Sequence, residues 1–454
     1  MPKKKTALTI EERLQQALVP AEEQPYEVPE NWVWVRLGEV NKYVSKSVNP
    51  ISEPDKIFEL YSVPSMADDY PEIIAGSDIG SSKQSVCKED VLLCKINPRI
   101  NRVWKVSQFT DNELIASSEW IIIRNNHINA NYLMYCFQSK YFREFMLSNV
   151  SGVGGSLMRA QPKYVQTYPI PLPPLSEQQR IVESIEELFA KLDEAKERLQ
   201  EVADSFAVRK AAILHKAFTG ELTKQWRWEN GVSYESWEEK KLGEVGFWLG
   251  GGTPSTSREE YWENGNILWI TSKDMKSAVI EDTLMKVNEI GVKNSSANYI
   301  EKPALLVVMR SGILRRTFPV AMVKKPFTVN QDLKAIIPDK DDLEFLYWML
   351  LSNEQRILDT CMKNGTTVES INSNALKDLT FKCPTLPEQH EIVRLIDDLL
   401  ARERSAQQAA EQALASIDLM KKSILARAFR GELGTNKASE ASALELLKQV
   451  LAEN

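Results

Sequence analysis

A chain of 454 residues, 43% hydrophobic and 26% charged, is long enough for two or three domains and has the composition of an ordinary globular protein. Its net charge of −7 speaks weakly against nucleic-acid binding by the chain as a whole, although local patches escape such an average. No apolar run approaches the ~20 residues a bilayer demands, the basic start lacks the apolar stretch of a secretory signal, and the five cysteines form no C-x-x-C pair, so a reducing cytoplasm is the expected setting.

In chain order, the pattern predicts an N-terminal helical segment (1–27) and a first globular domain (28–172). That domain has strand-like runs opening at Glu89 and over Glu119–Arg124, and a helix over Asn131–Leu147. A long helix (173–219) and a linker (220–232) follow. A second globular domain (233–383) has apolar runs opening at Lys302 and over Leu333–Ile337 and a helix over Leu343–Asp359. A second long helix (384–430) leads to a C-terminal helical tail (431–454).

This plan is a duplication. Leu175–Leu222 aligns without a gap on Leu386–Leu433, and 18 of the 48 positions are identical. Upstream, Trp32-Val-Trp-Val-Arg-Leu-Gly-Glu-Val40 matches Trp237-Glu-Glu-Lys-Lys-Leu-Gly-Glu-Val245. Between such landmarks the two globular halves diverge almost completely.

Ser176 with Gln179, and Thr385 with Glu388, fit the capping-box spacing, and Gly220 and Gly431 stand where a C-terminal cap is expected. Apolar residues at 181, 185, 188, 192, 195, 199, 202, 206 and 213 step alternately by about four and three, a coiled-coil seam. The second helix keeps that period, with Glu403 interrupting it and small Ala406, Ala410 and Ala413 at its middle. The expected arrangement is an antiparallel rod of roughly 60 Å, at 1.5 Å per residue. It would act either as a ruler between two domains or as a plain dimerisation hairpin.

Catalytic motifs are missing. The three histidines form no H-E-x-x-H, and neither a Walker loop nor a G-x-S-x-G elbow occurs. Asn97-Pro98-Arg99-Ile100 begins like an amino-methyltransferase loop but lacks the second proline and the stacking aromatic. What stands out instead is charge at equivalent places. Lys95, Arg99, Arg102 and Lys105, with Asn101, form one acid-free cluster; Arg310, Ser311, Arg315, Arg316, Lys324 and Lys325 belong to the other. Arginine forks suit guanine edges, asparagine suits adenine, and all can hold phosphates. A solvated loop explains one such cluster; two at matching positions favour nucleic-acid contact. Glycine-rich turns (Ser151–Ser156, Asn364–Thr367, Gly250–Ser255) are a second phosphate candidate, balanced against plain loops.

Pro173-Pro-Leu-Ser-Glu-Gln-Gln-Arg-Ile181 before a long helix, its copy at 384–393, and the paired Gly-Glu-Leu ends are together distinctive. So are the N-terminal Glu23-Gln-Pro-Tyr-Glu-Val-Pro29, Pro29-Glu-Asn-Trp32 with Leu37-Gly38, Gly251-Gly-Thr-Pro-Ser255 with Glu260-Tyr-Trp262, and the Ala443-Leu-Glu-Leu-Leu-Lys448 tail. In their order and duplication these features resemble the specificity subunit of type I restriction-modification systems, along nearly the whole chain.

The resemblance implies an α+β fold: two similar mixed α/β target-recognition domains, separated by two long helices in an antiparallel coiled coil, as a pseudo-twofold duplication. It implies a non-catalytic subunit in a bacterial or archaeal cytoplasm, each domain reading one half of a bipartite double-stranded DNA target. The helices would set the spacer and dock two methyltransferase subunits, directing adenine-N6 methylation, and two restriction subunits would add cleavage. No cofactor is expected on this chain; S-adenosylmethionine, ATP and Mg are expected on the partners. Residues 28–170 hold 15 basic and 15 acidic residues (net zero) and residues 233–383 hold 19 and 21 (net −2), so DNA binding by this chain alone should be weak. The alternatives are a recognition module of another phage-defence complex, or a coiled-coil scaffold that never touches DNA.

Overall fold

The fold is organised around the two Pro-x-x-Glu-Gln helix starts. In a computed structural model, which describes residues 8–152, 158–363 and 368–452, the chain forms two units. Unit 1 combines residues 1–199 with 412–454, and unit 2 is the intervening 200–411. Each unit therefore holds one globular domain and one half of each long helix.

In unit 1, strand Val33–Arg36 pairs antiparallel with Pro169–Leu172, tying the domain's first strand to its last. Between them lie a five-stranded sheet and a three-stranded one; the latter is ordered Val103–Lys105, Val91–Cys94, Trp120–Ile123. The predicted helix over Asn131–Leu147 is two helices, Ala130–Gln138 and Lys140–Ser148. They divide at Ser139, whose extended backbone (ψ 151°) starts the second while its hydroxyl donates to the Cys136 carbonyl at 2.6 Å. Helix Ile10–Ala17 begins with a complete capping box on Thr9 and Glu12. It packs on the C-terminal helix Ala443–Ala452, where Arg13 donates to the Leu451 carbonyl at 3.1 Å. One core joins Trp32, Val35 and Leu37 to Ile181 and Ile185 of the first long helix, Phe429 of the second, and Leu447 of the tail.

Unit 2 repeats the frame. Glu238–Lys241 pairs with Thr380–Cys383. A four-stranded sheet runs Gly246–Gly250, Leu333–Pro338, Ala304–Val308, Val320–Val323, beside a three-stranded sheet of its own. Here too the predicted second-domain helix divides, into Leu343–Ser352 and Glu354–Cys361 at Asn353. Segment 220–232, expected as a linker, contains the helix Lys224–Asn230.

The long helices run antiparallel within each unit. In unit 1 Lys421 meets Asp193 at 2.6 Å, and Ile181 and Ile185 share a core with Leu425 and Ala428. In unit 2 Leu214 and Ala217 share a core with Ile392, Ile396 and Leu400, and Glu403, read as an interruption of the seam, pairs with Arg209. The second helix is continuous over Leu386–Ala428. The first stops at Asp204 and resumes at Phe206. At the break the Val202 carbonyl, an acceptor the helix would otherwise use itself, takes both the Ser205 hydroxyl and the Arg209 guanidinium, each at 3.1 Å. Gly220 and Gly431 end their helices with φ of +78° and +74°, where a side chain would be strained.

The capping-box reading of the helix starts is corrected. Glu388 is fully buried and accepts from Trp237 Nε1 (2.9 Å), Thr223 Oγ1 (2.7 Å) and Arg227 Nη1 (2.6 Å). At the first helix Gln179, read as the partner of Ser176, accepts from Asn129 Nδ2 (2.9 Å) and donates to Glu183 (3.1 Å); the carboxylate at the place of Glu388 is Glu177, equally buried, which accepts from Trp32 Nε1 (2.7 Å), Asn436 Nδ2 (2.8 Å) and Thr435 Oγ1 (3.3 Å). The next residue is a second clasp: Gln178 and Gln389 accept from the backbone N–H of Asn129 (2.9 Å) and Asp342 (2.8 Å), the caps of the domain helices. Burying a carboxylate costs several kcal/mol unless donors surround it. Each helix start thus binds three things: its domain's entry tryptophan, its domain helix, and the chain leaving the other long helix.

Candidate nucleic-acid interface

Both basic clusters ride on the same hairpin. Val91–Cys94 and Val103–Lys105 pair antiparallel, and Val91–Cys94 also pairs with Trp120–Ile123. In unit 2 Ala304–Val308 takes the same central place between Val320–Val323 and Leu333–Pro338. The loop of each hairpin is a short 3-10 turn, Pro98–Ile100 or Gly312–Arg315. The turn in unit 1 is flanked by Asn97 and Asn101 at φ 48° and 53°, a left-handed conformation that asparagine tolerates.

The hairpin geometry divides the sequence-predicted residues. Lys95, Arg99, Asn101 and Arg102 cluster at one loop, and Arg310, Ser311, Arg315 and Arg316 at the other. Lys105 pairs with Val91 at the opposite end of its hairpin, and Lys324 follows Val323, which pairs with Ala304. At ~3.4 Å per residue, each lies roughly 10 Å or more from its loop. Sequence proximity had joined what the strand separates.

The acids missing from the clusters arrive from elsewhere. Lys105 meets Glu89 at 3.6 Å, and Lys324 meets Glu344 at 2.6 Å, a hydrogen bond that raises the lysine's pKa. Arg315 pairs with Glu369 and holds that carboxyl below its ordinary value. Lys95 donates to the Ser118 carbonyl at 2.6 Å, and Asn101 spends an amide proton on the Gln138 carbonyl at 3.2 Å. Ser311 caps its turn, accepting from the Ile313 N–H at 3.4 Å. Among the described residues Arg99, Arg102, Arg310 and Arg316 make no ion pair, and Arg99, Arg310 and Arg316 are exposed.

Each loop is also zipped to a second segment. Asn97 N–H donates to the Met158 carbonyl at 2.8 Å, and Ala160 N–H to the Lys95 carbonyl at 2.8 Å. In unit 2 Ser311 N–H donates to the Glu369 carbonyl at 3.0 Å, and Ile371 N–H to the Met309 carbonyl at 2.8 Å. In the chain these segments follow the glycine-rich turns. Residues 153–156 and 364–367 of those turns lie outside the described residues. Sequence reasoning missed Arg159, bidentate to Glu119 (3.2 and 3.1 Å), and Arg143, which donates to the Arg99 carbonyl. Only their position after the glycine-rich turn, or on the domain helix, could have hinted at them.

The third turn has a structural reason. A Cβ on Gly251 would lie 1.7 Å from the Val329 carbonyl oxygen, and one on Gly252 2.0 Å from Ser296 Oγ, so these glycines allow chain to pass against chain. No group of His, Cys, Asp or Glu among the described residues is arranged to hold a metal, and no described helix is long and apolar enough to cross a membrane.

The family model for the type I restriction modification DNA specificity domain matches this chain twice, over residues 29–204 and 234–413. The chain belongs to that family. Each match holds one basic hairpin and one Glu-Gln helix start. The specificity domains here are similar over 161 residues, at 40% identity, to the EcoR124I/EcoR124II specificity subunit of Escherichia coli; that match covers 35% of this chain and 40% of the relative's length. They are 26% identical over 344 residues to the StySPI specificity subunit of Salmonella potsdam, covering 72% of each chain. The fold matches the HsdS subunit from Thermoanaerobacter tengcongensis with a TM-score of 0.68 at 22% identity, over 90% of this chain and 100% of that one.

Proposed function

We propose that this chain is the DNA specificity subunit of a type I restriction-modification complex. Two recognition domains, 28–172 and 233–383, each read one half of a split double-stranded target. The long helices set the spacer and dock two methyltransferase subunits, and the assembly methylates adenine at N6. With restriction subunits added it cleaves unmethylated DNA. S-adenosylmethionine, ATP and Mg act on the partners, and this chain performs no chemistry.

The observation that carries the reading is a specificity domain present twice in one chain, each copy presenting arginines from the same hairpin loop with different neighbours. A common frame with divergent loops is what an asymmetric two-part target requires. Unpaired, exposed arginines at a loop can take phosphates or guanine edges. Near-neutral domains leave most of the phosphate affinity to the partners.

The test is adenine methylation mapped across the genome of a methylation-free host expressing this chain with the methyltransferase encoded beside it, against that methyltransferase alone. A split motif with a fixed gap, methylated only when both proteins are present, is expected. A soluble, co-purifying pair that yields no such motif refutes the proposal and favours another DNA-defence assembly.

A further inference from the structure

Two arginines at the basic loops are held differently from the rest. Arg159 gives Nε and Nη2 to the two carboxylate oxygens of Glu119, and Arg315 gives Nε to Glu369. Both pairs sit on one backbone frame. Ile96 bridges Arg159 antiparallel beside the first loop, and Arg310 bridges Ser370 beside the second. The neighbouring bonds, Asn97 N–H to the Met158 carbonyl and Ser311 N–H to the Glu369 carbonyl, set Met158 level with Glu369 and Arg159 level with Ser370. On that register the domains exchange chemistry: the strip beside the loop supplies the arginine in unit 1 and the carboxylate in unit 2. An equal frame with unequal side chains at matching positions is what two domains need to read different bases.

Stability does not account for these pairs. The Arg159 and Glu119 side chains are 41% and 27% exposed and that of Arg315 is 69% exposed, and ion pairs so open to water contribute little. What a carboxylate on the Nε side does is fix the guanidinium plane. Of the five N–H groups of Arg159, Glu119 takes two; an Nη1 and an Nη2 hydrogen remain side by side at the end of the fork. In Arg315 both Nη groups are without a hydrogen bond among the described residues. Two parallel donors on a fixed plane fit the O6 and N7 acceptors of one guanine. A phosphate asks for charge and carries no sequence, so an arginine left free to turn serves it as well.

We propose that Arg159 and Arg315 are the guanine-reading residues of the two domains, with Glu119 and Glu369 as their positioning residues, while the unpaired arginines of the loops hold phosphates. Each half-site then contains at least one G·C pair. This rests on the function proposed above and deepens it by naming a base and its reader in each domain.

The test uses the full chain assembled with the methyltransferase encoded beside it. The methylated motif defines the half-sites, and anisotropy titrations with duplexes carrying every other base pair at each half-site position measure discrimination. Arg159→Lys and Glu119→Gln should each lower discrimination at one G·C pair of one half-site, by roughly 5- to 150-fold where the whole bidentate contact is lost. The profile of the other half-site should stay as it was. Arg315→Lys and Glu369→Gln should do the same in that other half-site. Arg99→Gln and Arg316→Gln should weaken all duplexes by one common factor. The glutamine variants of the two carboxylates alter little but charge, so they decide the matter if a lysine variant loses its fold. A carboxylate variant that weakens every duplex alike, binds none, or leaves every profile unchanged has a structural role only, and the assignment for its domain is overturned. A half-site without a G·C pair overturns it too. The functional reading survives each of these results. It falls, and the assignment with it, if the unaltered assembly methylates no split motif.

Discussion

The two buried carboxylates at the helix starts occupy equivalent places, yet replacing each with glutamine should have unequal consequences. Glu177 takes two of its donors, Trp32 and Asn436, on one oxygen, and only the Thr435 hydroxyl on the other. Glutamine can keep its carbonyl toward the first pair and donate to a reoriented Thr435. Glu388 takes Thr223 and Arg227 on one oxygen and Trp237 on the other. Whichever way glutamine turns there, its NH2 faces a group that can only donate. It also leaves Arg227, whose side chain is 10% exposed, without a counter-charge. Breaking a buried pair from one side costs roughly 3–5 kcal/mol, whereas weakening hydrogen bonds between otherwise satisfied groups costs about 1 kcal/mol. The difference, about 3 kcal/mol, corresponds to more than a hundredfold in local opening. Hydrogen exchange followed by mass spectrometry on peptides around 233–245 and 386–396, against those around 29–40 and 175–185, separates the units. Glu388→Gln should open unit 2 far more than Glu177→Gln opens unit 1. Replacing Glu388 and Arg227 together with leucine should recover much of the loss. Equal effects of the two glutamine substitutions would refute the reasoning.

Gly38→Ala would place a Cβ 2.9 Å from the Gln166 Cβ and 3.0 Å from its carbonyl oxygen; we expect a loss of ~1–3 kcal/mol, read as a lower unfolding midpoint in urea. Arg99→Glu, Arg102→Glu and Arg316→Glu in the assembled complex should each weaken DNA binding and lower the salt slope by about 1 where a phosphate contact is lost. Lys105→Glu and Lys324→Glu, at the far hairpin ends, should change little in the same anisotropy titrations. Burial pushes the Asp341 carboxyl up, but the Gln389 amide and the Lys240 ammonium, at 2.9 and 3.0 Å, outweigh it and hold its pKa below the ordinary value. Stability from this group is therefore complete above the unfolded value of ~3.9 and drains as pH falls through the folded one. Asp341→Asn should flatten the acid limb of unit 2 unfolding between about pH 5 and 3.

Periodicity and punctuation made the long helices legible: the apolar spacing marks their faces, and Gly220 and Gly431 their ends. What local spacing could not reveal was the job of the motif residues. Glu388, three places after Thr385, reads as a cap, and nothing nearby says that Trp237, about 150 residues earlier, donates to it. The same limit affected the charge clusters. Their lack of acids was true along the chain, but Glu369 and Glu344 come from other elements to meet Arg315 and Lys324. At the break at Ser205 two side chains, Ser205 and Arg209, share the Val202 carbonyl, which helix propensity does not encode. The loops' equivalence was legible because strand length and order are written in apolar runs. Their direction, which separates Lys105 from Arg99, appears only once the hairpin is folded.

The interleaving of the units imposes an order of birth. Unit 2 is a continuous stretch, 200–411, and has its whole core available once that stretch has left the ribosome. Unit 1 is made first in large part but waits for Leu425, Phe429 and Leu447 to fill the core around Trp32 and Ile181. At roughly 5–20 residues per second, residues 412–454 follow unit 2 by a few seconds. During that interval the older domain presents an unfinished apolar face, and the younger one is already closed.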